Sequence, residues 1–224
     1  MTEMGDRRTS LDDLPATAPV FPLPGAILLP RRELPLNIFE PRYLAMVDAS
    51  LAGDRMIGMV QPQGNGKNQH PKLESVGGLG RITAFSERAD GTYVICLTGL
   101  CRFRIAGERE VATPYRQCAL DYNDYQGDLI GGKGAEAVDR TRLLAAFTSY
   151  LDAKSMEADW DEIARSDNET LVNALTMISP FGTAEKQALL EASDLATRAD
   201  FLVALTEMAL AQEGNGSDYR TRTH

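Results

Sequence analysis

Between Val20 and Tyr122 the apolar residues fall in short runs at every second position, interrupted by glycine and proline, a pattern of strands joined by tight connections. Leu34, Leu36 and Ile38 alternate with Pro35, Asn37 and Phe39 and predict a strand that stops at the Glu40-Pro41 step. Pro41 then opens a helix, since its fixed φ suits a first helical turn. Tyr43, Leu44, Met46 and Val47 form the apolar stripe of that helix, and Gly53 ends it. Residues 56–60 return as a strand, and the polar stretch 61–71 predicts a surface loop. Residues 81–85 and 92–97 predict two more strands, joined through Asp90-Gly91, which supplies turn residues. Further on, Cys101, Phe103 and Ile105 alternate with Arg102, Arg104 and Ala106. That alternation predicts one apolar face and one wet face carrying two guanidiniums.

The period changes after Gly134. Leu144, Phe147 and Leu151 stand at helical spacing, and Leu171, Val172, Leu175 and Ile178 form a second stripe, preceded by Ser166 and Glu169 at capping-box spacing. Thr183 is expected to cap a further helix, and Asp194 a last one that carries Leu195, Leu202, Leu205 and Ala209 before Gly214 stops it. Strands followed by helices give an α+β fold, a small β-barrel followed by a C-terminal α-helical bundle. The expected boundaries are a disordered tail over 1–18, the barrel over 19–125, a glycine-rich linker over 126–134, the bundle over 135–213 and a second disordered tail over 214–224.

Charge and cysteine usage narrow the classes of function. A net charge of -9 repels phosphate, which argues against DNA and disfavours RNA unless a local basic strip overrides the average. Arg81, Arg102 and Arg104 are the candidates for such a strip. Three cysteines, Cys96, Cys101 and Cys118, are odd in number and sparse, which fits a reduced, cytoplasmic setting better than a secreted disulfide scaffold. The N-terminus shows no signal peptide, and the longest aliphatic run, residues 26–29, is closed by Pro30, far short of the roughly 20 residues of a membrane span.

Candidate chemistry is sparse. Gly127 to Lys133 matches the glycine-to-Gly-Lys spacing of a phosphate loop, but Gly134 stands where a hydroxyl should hold magnesium, and no apolar strand precedes it. Asp121, Asn123 and Tyr125 start like a calcium loop, yet Gln126 and Gly132 occupy the positions that need glycine and glutamate. Two histidines, His70 and His224, cannot supply a zinc site with several imidazoles or a histidine triad easily. Cys96 and Cys101 fall on sheet positions among aliphatics, where cysteine behaves as a small hydrophobe. No catalytic residue, metal or cofactor is expected. Glu40 and Arg42 flank Pro41, where an ion pair could brace the corner between strand and helix.

Five segments, in order, carry a family likeness: Phe21-Pro22-Leu23-Pro24-Gly25 with Pro35-Leu36-Asn37-Ile38-Phe39-Glu40-Pro41-Arg42-Tyr43; Val76 to Ile82; Asp90 to Tyr93; Gly99 to Ile105; and Glu185 to Glu191. Together they resemble the N-terminal domain of Lon proteases, in particular stand-alone bacterial Lon-domain proteins. The resemblance implies a PUA-like barrel packed with helices, and a non-catalytic module that recognises polypeptide. The ATPase and Ser-Lys protease modules of full Lon proteases fall outside the resemblance. The implied partner is unfolded or exposed hydrophobic polypeptide, or a protease or chaperone, with self-association a further possibility. Leu28, Leu29, Phe39 and Tyr43 are the candidate peptide-binding residues, and Glu40, Arg42, Arg81, Arg102 and Arg104 the candidate polar or structural contacts. The alternatives are an RNA-binding PUA-like protein and an uncharacterised thiol enzyme using Cys96 or Cys101.

Overall fold

The computed structural model describes residues 10–64, 70–154 and 159–221. Six strands form one sheet: β1 (Thr17–Pro22), β2 (Glu33–Ile38), β3 (Met56–Pro62), β4 (Leu73–Glu87), β5 (Tyr93–Glu108) and β6 (Arg116–Asp121), in the order β2-β5-β4-β3-β1-β6. β1 runs parallel to β3, and every other pairing is antiparallel. β5 is long enough to take two partners on one edge. Its first half, Tyr93 to Thr98, pairs with β2, and its far end, Arg104 to Glu108, pairs with β6. The second pairing joins β5, β4, β3, β1 and β6 into a closed ring. Register shifts between Leu79 and Gly80, Ile82 and Ala84, and Ile105 and Gly107 supply the bends that closure requires.

Both faces of the sheet bury side chains: Phe103 and Val20 meet beside Gly58, Leu97 and Leu28 meet beside Gly80, and Ile57, Met59, Leu79 and Ile95 are buried as well. The segment between β1 and β2 crosses the sheet against its glycines. A Cβ on Gly78 would lie 2.0 Å from the Leu28 carbonyl oxygen, and one on Gly99 would lie 2.0 Å from that of Leu29. Gly99 also exchanges backbone hydrogen bonds with this segment, its carbonyl accepting from Arg31 N and its N–H donating to Arg32 O, both at 2.8 Å. Leu28 and Leu29 are therefore core residues, fully covered. Helix α1 (Pro41–Ala52) begins at Pro41 and ends at Gly53, as its sequence predicts, and buries Tyr43, Met46 and Val47.

The described chain divides into two compact units. The first holds the sheet and α1, through Gly131, and also Ser179–Leu190. The second is Gly132–Ile178 with the chain from Glu191 onward. Helix α5 (Thr183–Glu191) thus belongs to the sheet unit almost entirely, which its position among the helices of the sequence does not suggest. Its attachment is polar and buried. Gln61 Nε2 donates to Thr183 O at 3.0 Å and to Gln187 Oε1 at 2.9 Å, while Gln187 Nε2 donates to Val76 O at 3.1 Å.

In the second unit, α2 (Arg140–Lys154) and α4 (Asn168–Ile178) pack against α6 (Leu195–Thr221), with α3 (Trp160–Arg165) between α2 and α4 in sequence. The face of α2 that is covered runs through Leu143, Ala146, Phe147 and Tyr150, one residue away from the expected Leu144 and Leu151. Ile178 is 74% exposed, so the stripe on α4 stops at Leu171, Val172 and Thr176. Aspartates cap these helices: the carboxylates of Asp139, Asp159, Asp167 and Asp194 accept from the backbone N–H three residues on, at 2.8–3.0 Å. Asp167, rather than Ser166, therefore caps α4, and Ser166 instead closes α3 with its hydroxyl on Glu162 O at 2.9 Å. Thr183 is the first residue of its helix, whose leading carbonyl comes from Gly182.

At the ends, structure extends beyond the expected limits. A short 3-10 helix at Leu11–Asp13 precedes β1, Leu14 and Ala18 are buried, and Tyr122 Oη donates to Pro15 O at 2.8 Å. The expected tail over 1–18 is thus ordered from Ser10, and residues 1–9 lie outside the described residues. The backbone of α6 continues through Gly214 and Gly216 to Thr221, each helical glycine costing only about 1 kcal/mol. Residues 222–224 of the second expected tail, and 65–69 of the expected loop, lie outside the described residues.

Candidate functional site

Where β1, β2 and β3 end and β6 begins, the sheet unit opens into a groove of about 720 Å³. Its walls come from five separated stretches: residues 21–24, residues 36–40 with Arg42 and Tyr43, Pro62, residues 70–71 and residues 114–116. Five of the lining residues are prolines, Pro22, Pro24, Pro62, Pro71 and Pro114, so the walls are rigid and poor in backbone N–H donors. The Phe21 and Tyr43 rings meet at 4.2 Å, tilted by 38°, and burial pushes the Tyr43 phenol above its ordinary value. Phe39, also lining the groove, is 67% exposed. A phenylalanine so exposed beside an apolar concavity is the kind of group that marks a contact surface.

Besides Glu40, two arginines and a histidine line the groove: Arg42, Arg116 and His70. The Arg42 guanidinium stacks over the Tyr43 ring at 4.5 Å, donates through Nε to one oxygen of Glu40 at 2.9 Å, and holds Nη2 2.8 Å from the same oxygen in an ion pair. This is the ion pair expected at the Pro41 corner, and both partners are about half exposed. Arg116 is more enclosed. It grips both oxygens of Glu108 and donates through Nη1 to Pro71 O at 2.7 Å. That grip holds the Glu108 carboxyl below the usual carboxylate range.

Four of the nine candidate residues, Phe39, Glu40, Arg42 and Tyr43, therefore converge on this groove. The others do not. Leu28 and Leu29 are core, as described above. Arg81 stands half-buried on β4 opposite Met56 and Thr98. Arg104 is exposed and pairs with Asp124 at 3.0 Å. Arg102, expected on a wet face, is only 4% exposed. Its Nε and Nη2 donate to the two oxygens of Asp128 at 2.8 Å each, its backbone N–H donates to the same carboxylate at 2.9 Å, and its Nη1 donates to Leu190 O at 2.9 Å. The guanidinium also lies 4.5 Å above the Tyr125 ring. The two guanidiniums of β5 do not form a basic strip, because a 3-10 helix at Asn123–Leu129 covers Arg102 and presents Asp128 to it.

That helix also settles what the glycine-rich segment does locally. Asp128, inside the apparent phosphate loop, is committed to Arg102, and Arg31 Nη1 donates to its carbonyl at 2.6 Å. Two of the three thiols are buried. Cys101 is buried, donates to Tyr125 O at 3.3 Å, and is pushed up by burial and by Asp128 to about 12. Burial, with Glu108 nearby, pushes Cys118 up to about 11. A thiolate nucleophile is disfavoured at both.

Groove residues that the sequence reading missed include Phe21, Leu23, Leu36, Tyr115, Arg116 and the prolines. Each proline reads singly as a strand terminator, and only the topology collects them. The dense Phe21-Pro22-Leu23-Pro24-Gly25 stretch was the available signal.

Comparison with known proteins places this fold. The family model described as the ATP-dependent protease La (LON) substrate-binding domain matches residues 17–207. The Lon protease of Desulfosudis oleivorans is 23% identical over 197 residues, covering 84% of this chain and 23% of that protein. The Lon protease of Salinispora arenicola is 28% identical over 204 residues, 88% of this chain and 24% of that protein. The chain thus spans about a quarter of the length of these relatives. Two solved structures share the fold. One, a Lon N-terminal domain protein from Xanthomonas campestris, has a TM-score of 0.60 at 21% identity, over 84% of this chain and 97% of that one. The other, the N-terminal domain of a Mycobacterium avium complex Lon protease, has a TM-score of 0.62 at 18% identity, over 85% and 98%. With the family model matched from the first strand into the last helix, the chain belongs to the Lon substrate-binding domain family.

Proposed function

We propose that this chain binds exposed apolar segments of non-native polypeptide in the groove between Phe39, Tyr43 and the proline walls, and that it performs no chemistry on them. The observation that carries this reading is the exposed Phe39 on the groove of a domain whose family is described as substrate-binding. Folded proteins hide their apolar side chains, so an apolar groove of rigid walls selects chains that have lost that cover. The buried, hard-to-ionise thiols of Cys101 and Cys118 and the committed Asp128 support a binding role without catalysis. We place its work in the cytoplasm, where three free cysteines stay reduced.

The test is binding of a fluorescein-labelled, permanently unfolded polypeptide, followed by anisotropy, with native protein as competitor. The unfolded chain should bind and the native competitor should not. Phe39→Ser should weaken binding by about tenfold while leaving the melting temperature within a degree or two, since the side chain is mostly in solvent. Equal binding by Phe39→Ser would remove the groove from the function. Selective retention of RNA, with no affinity for unfolded protein, would replace the reading.

A further inference from the structure

We infer that the segment taken up by the groove carries a carboxylate beside its apolar anchor, and that Arg42 is the residue that reads it. This deepens the proposed polypeptide-binding function and rests on it. The two guanidiniums lining the groove differ in what they have left to offer. Arg116 is closed on both oxygens of Glu108 and on Pro71 O. Arg42 turns only its Nε and Nη2 edge to Glu40, and both nitrogens face a single carboxylate oxygen there. Its Nη1 end keeps its donors, so a second carboxylate can bind end-on while Glu40 stays in place.

The position of that guanidinium is fixed in advance. It stacks on Tyr43, which is itself wedged against Phe21, so little further side-chain freedom is lost on binding. The donor-poor proline walls leave Arg42 as a principal polar handle for a bound chain. The charges at the groove balance locally, Arg42 against Glu40 and Arg116 against Glu108, so the groove does not share the chain's net charge of -9. At physiological salt charges separated by more than about 8 Å are screened, so a ligand in the groove senses the nearby groups more than the distant excess of acid.

Arg42 and the chain's net charge make opposite predictions, which gives a decisive experiment. Three labelled synthetic peptides share one leucine and phenylalanine core, flanked by aspartate, serine or lysine, and are titrated with the full chain at low and high salt. The aspartate peptide should bind about 2- to 5-fold more tightly than the serine peptide, the range of a half-exposed ion pair, and the lysine peptide more weakly. High salt should shrink the difference. Arg42→Gln should erase the preference yet keep the serine peptide bound, and Arg42→Lys should lose most of it, because a point charge lacks the second edge of the fork. Glu40→Gln, which removes a competing carboxylate, should enlarge it. Binding of all three peptides with equal affinity, or a preference for lysine, overturns the inference while leaving the polypeptide-binding reading intact, as does a preference that survives Arg42→Gln in a variant with unchanged melting temperature. Failure of all three to bind overturns both.

Discussion

Asp128→Asn is the sharpest test of what holds the sheet unit together. The carboxylate receives three hydrogen bonds from Arg102, and the two side chains expose only 5% and 11% of their surface. Asparagine keeps the shape but removes the charge and turns one acceptor into a donor facing the guanidinium. Arg102 is then a buried cation without its counter-charge, and breaking one side of such a pair costs about 3–5 kcal/mol. Against a total stability of roughly 5–15 kcal/mol that is a large fraction. At about 2–4 °C per kcal/mol for a chain of this size, the melting temperature should fall by roughly 6–20 °C, read by circular dichroism, with a matching shift in urea midpoint. A paired replacement, Arg102→Met with Asp128→Leu, should recover most of the loss, because an apolar pair needs no compensation. It should still fall short by about 1 kcal/mol, the bond from Arg102 to Leu190 O being gone. A loss below 1 kcal/mol in Asp128→Asn would refute the reasoning and show that water reaches Arg102.

Gly78→Ala should fail to give soluble folded protein, because the new methyl meets the Leu28 backbone rather than a yielding side chain and exceeds the roughly 1–3 kcal/mol of ordinary overpacking; Gly107→Ala, with open space around it, should melt within a few degrees of wild type. Alkylation of the native protein near pH 8 should modify Cys96 and spare Cys101 and Cys118, where thiols raised to about 12 and about 11 leave about one molecule in a thousand or fewer as thiolate; mass spectrometry showing early modification of Cys101 would revive a thiol enzyme. Asp194→Ala should cost about 0.5–2 kcal/mol at neutral pH through loss of the α6 cap. The Thr197 N–H, with the hydroxyls of Ser193 and Thr197, holds that carboxyl below the usual range, so its contribution is complete above the ordinary aspartate value near 4 and disappears as pH falls through the lower folded value; equal mutant and wild-type stability at pH 7 would exclude the cap.

The strands and α1 were legible because their periods and terminators are local: Pro41 and Gly53 bound α1, and the alternation at Cys101, Phe103 and Ile105 marks the inner face of β5. The family likeness was legible for the same reason, in short runs of fixed order. What the sequence could not show depends on partners far along the chain. Arg102 reads as a solvent group until Asp128 is folded over it, and Leu28 and Leu29 read as groove residues until Gly78 and Gly99 bring the backbone against them. The covered face of α2 lies one residue from the expected Leu144 and Leu151 because leucines at 143 and 144 fit a helical stripe equally well, and only packing decides between them. Half of the groove was visible in the Phe39 to Tyr43 stretch. The other half comes from prolines that no period connects.

The return of Ser179–Leu190 to the sheet unit makes the intervening helices an insertion within it. On the ribosome, the last strand is complete at Asp121, yet Gln61, Val76 O and Arg102 Nη1 have partners that arrive only with α5. The roughly 60 residues between Gly131 and Leu190 take about 3–12 s to add at 5–20 residues per second. A nascent chain stalled in that interval holds a closed ring of strands with buried amides still open to solvent, so the sheet unit matures only after the inserted helices have been made.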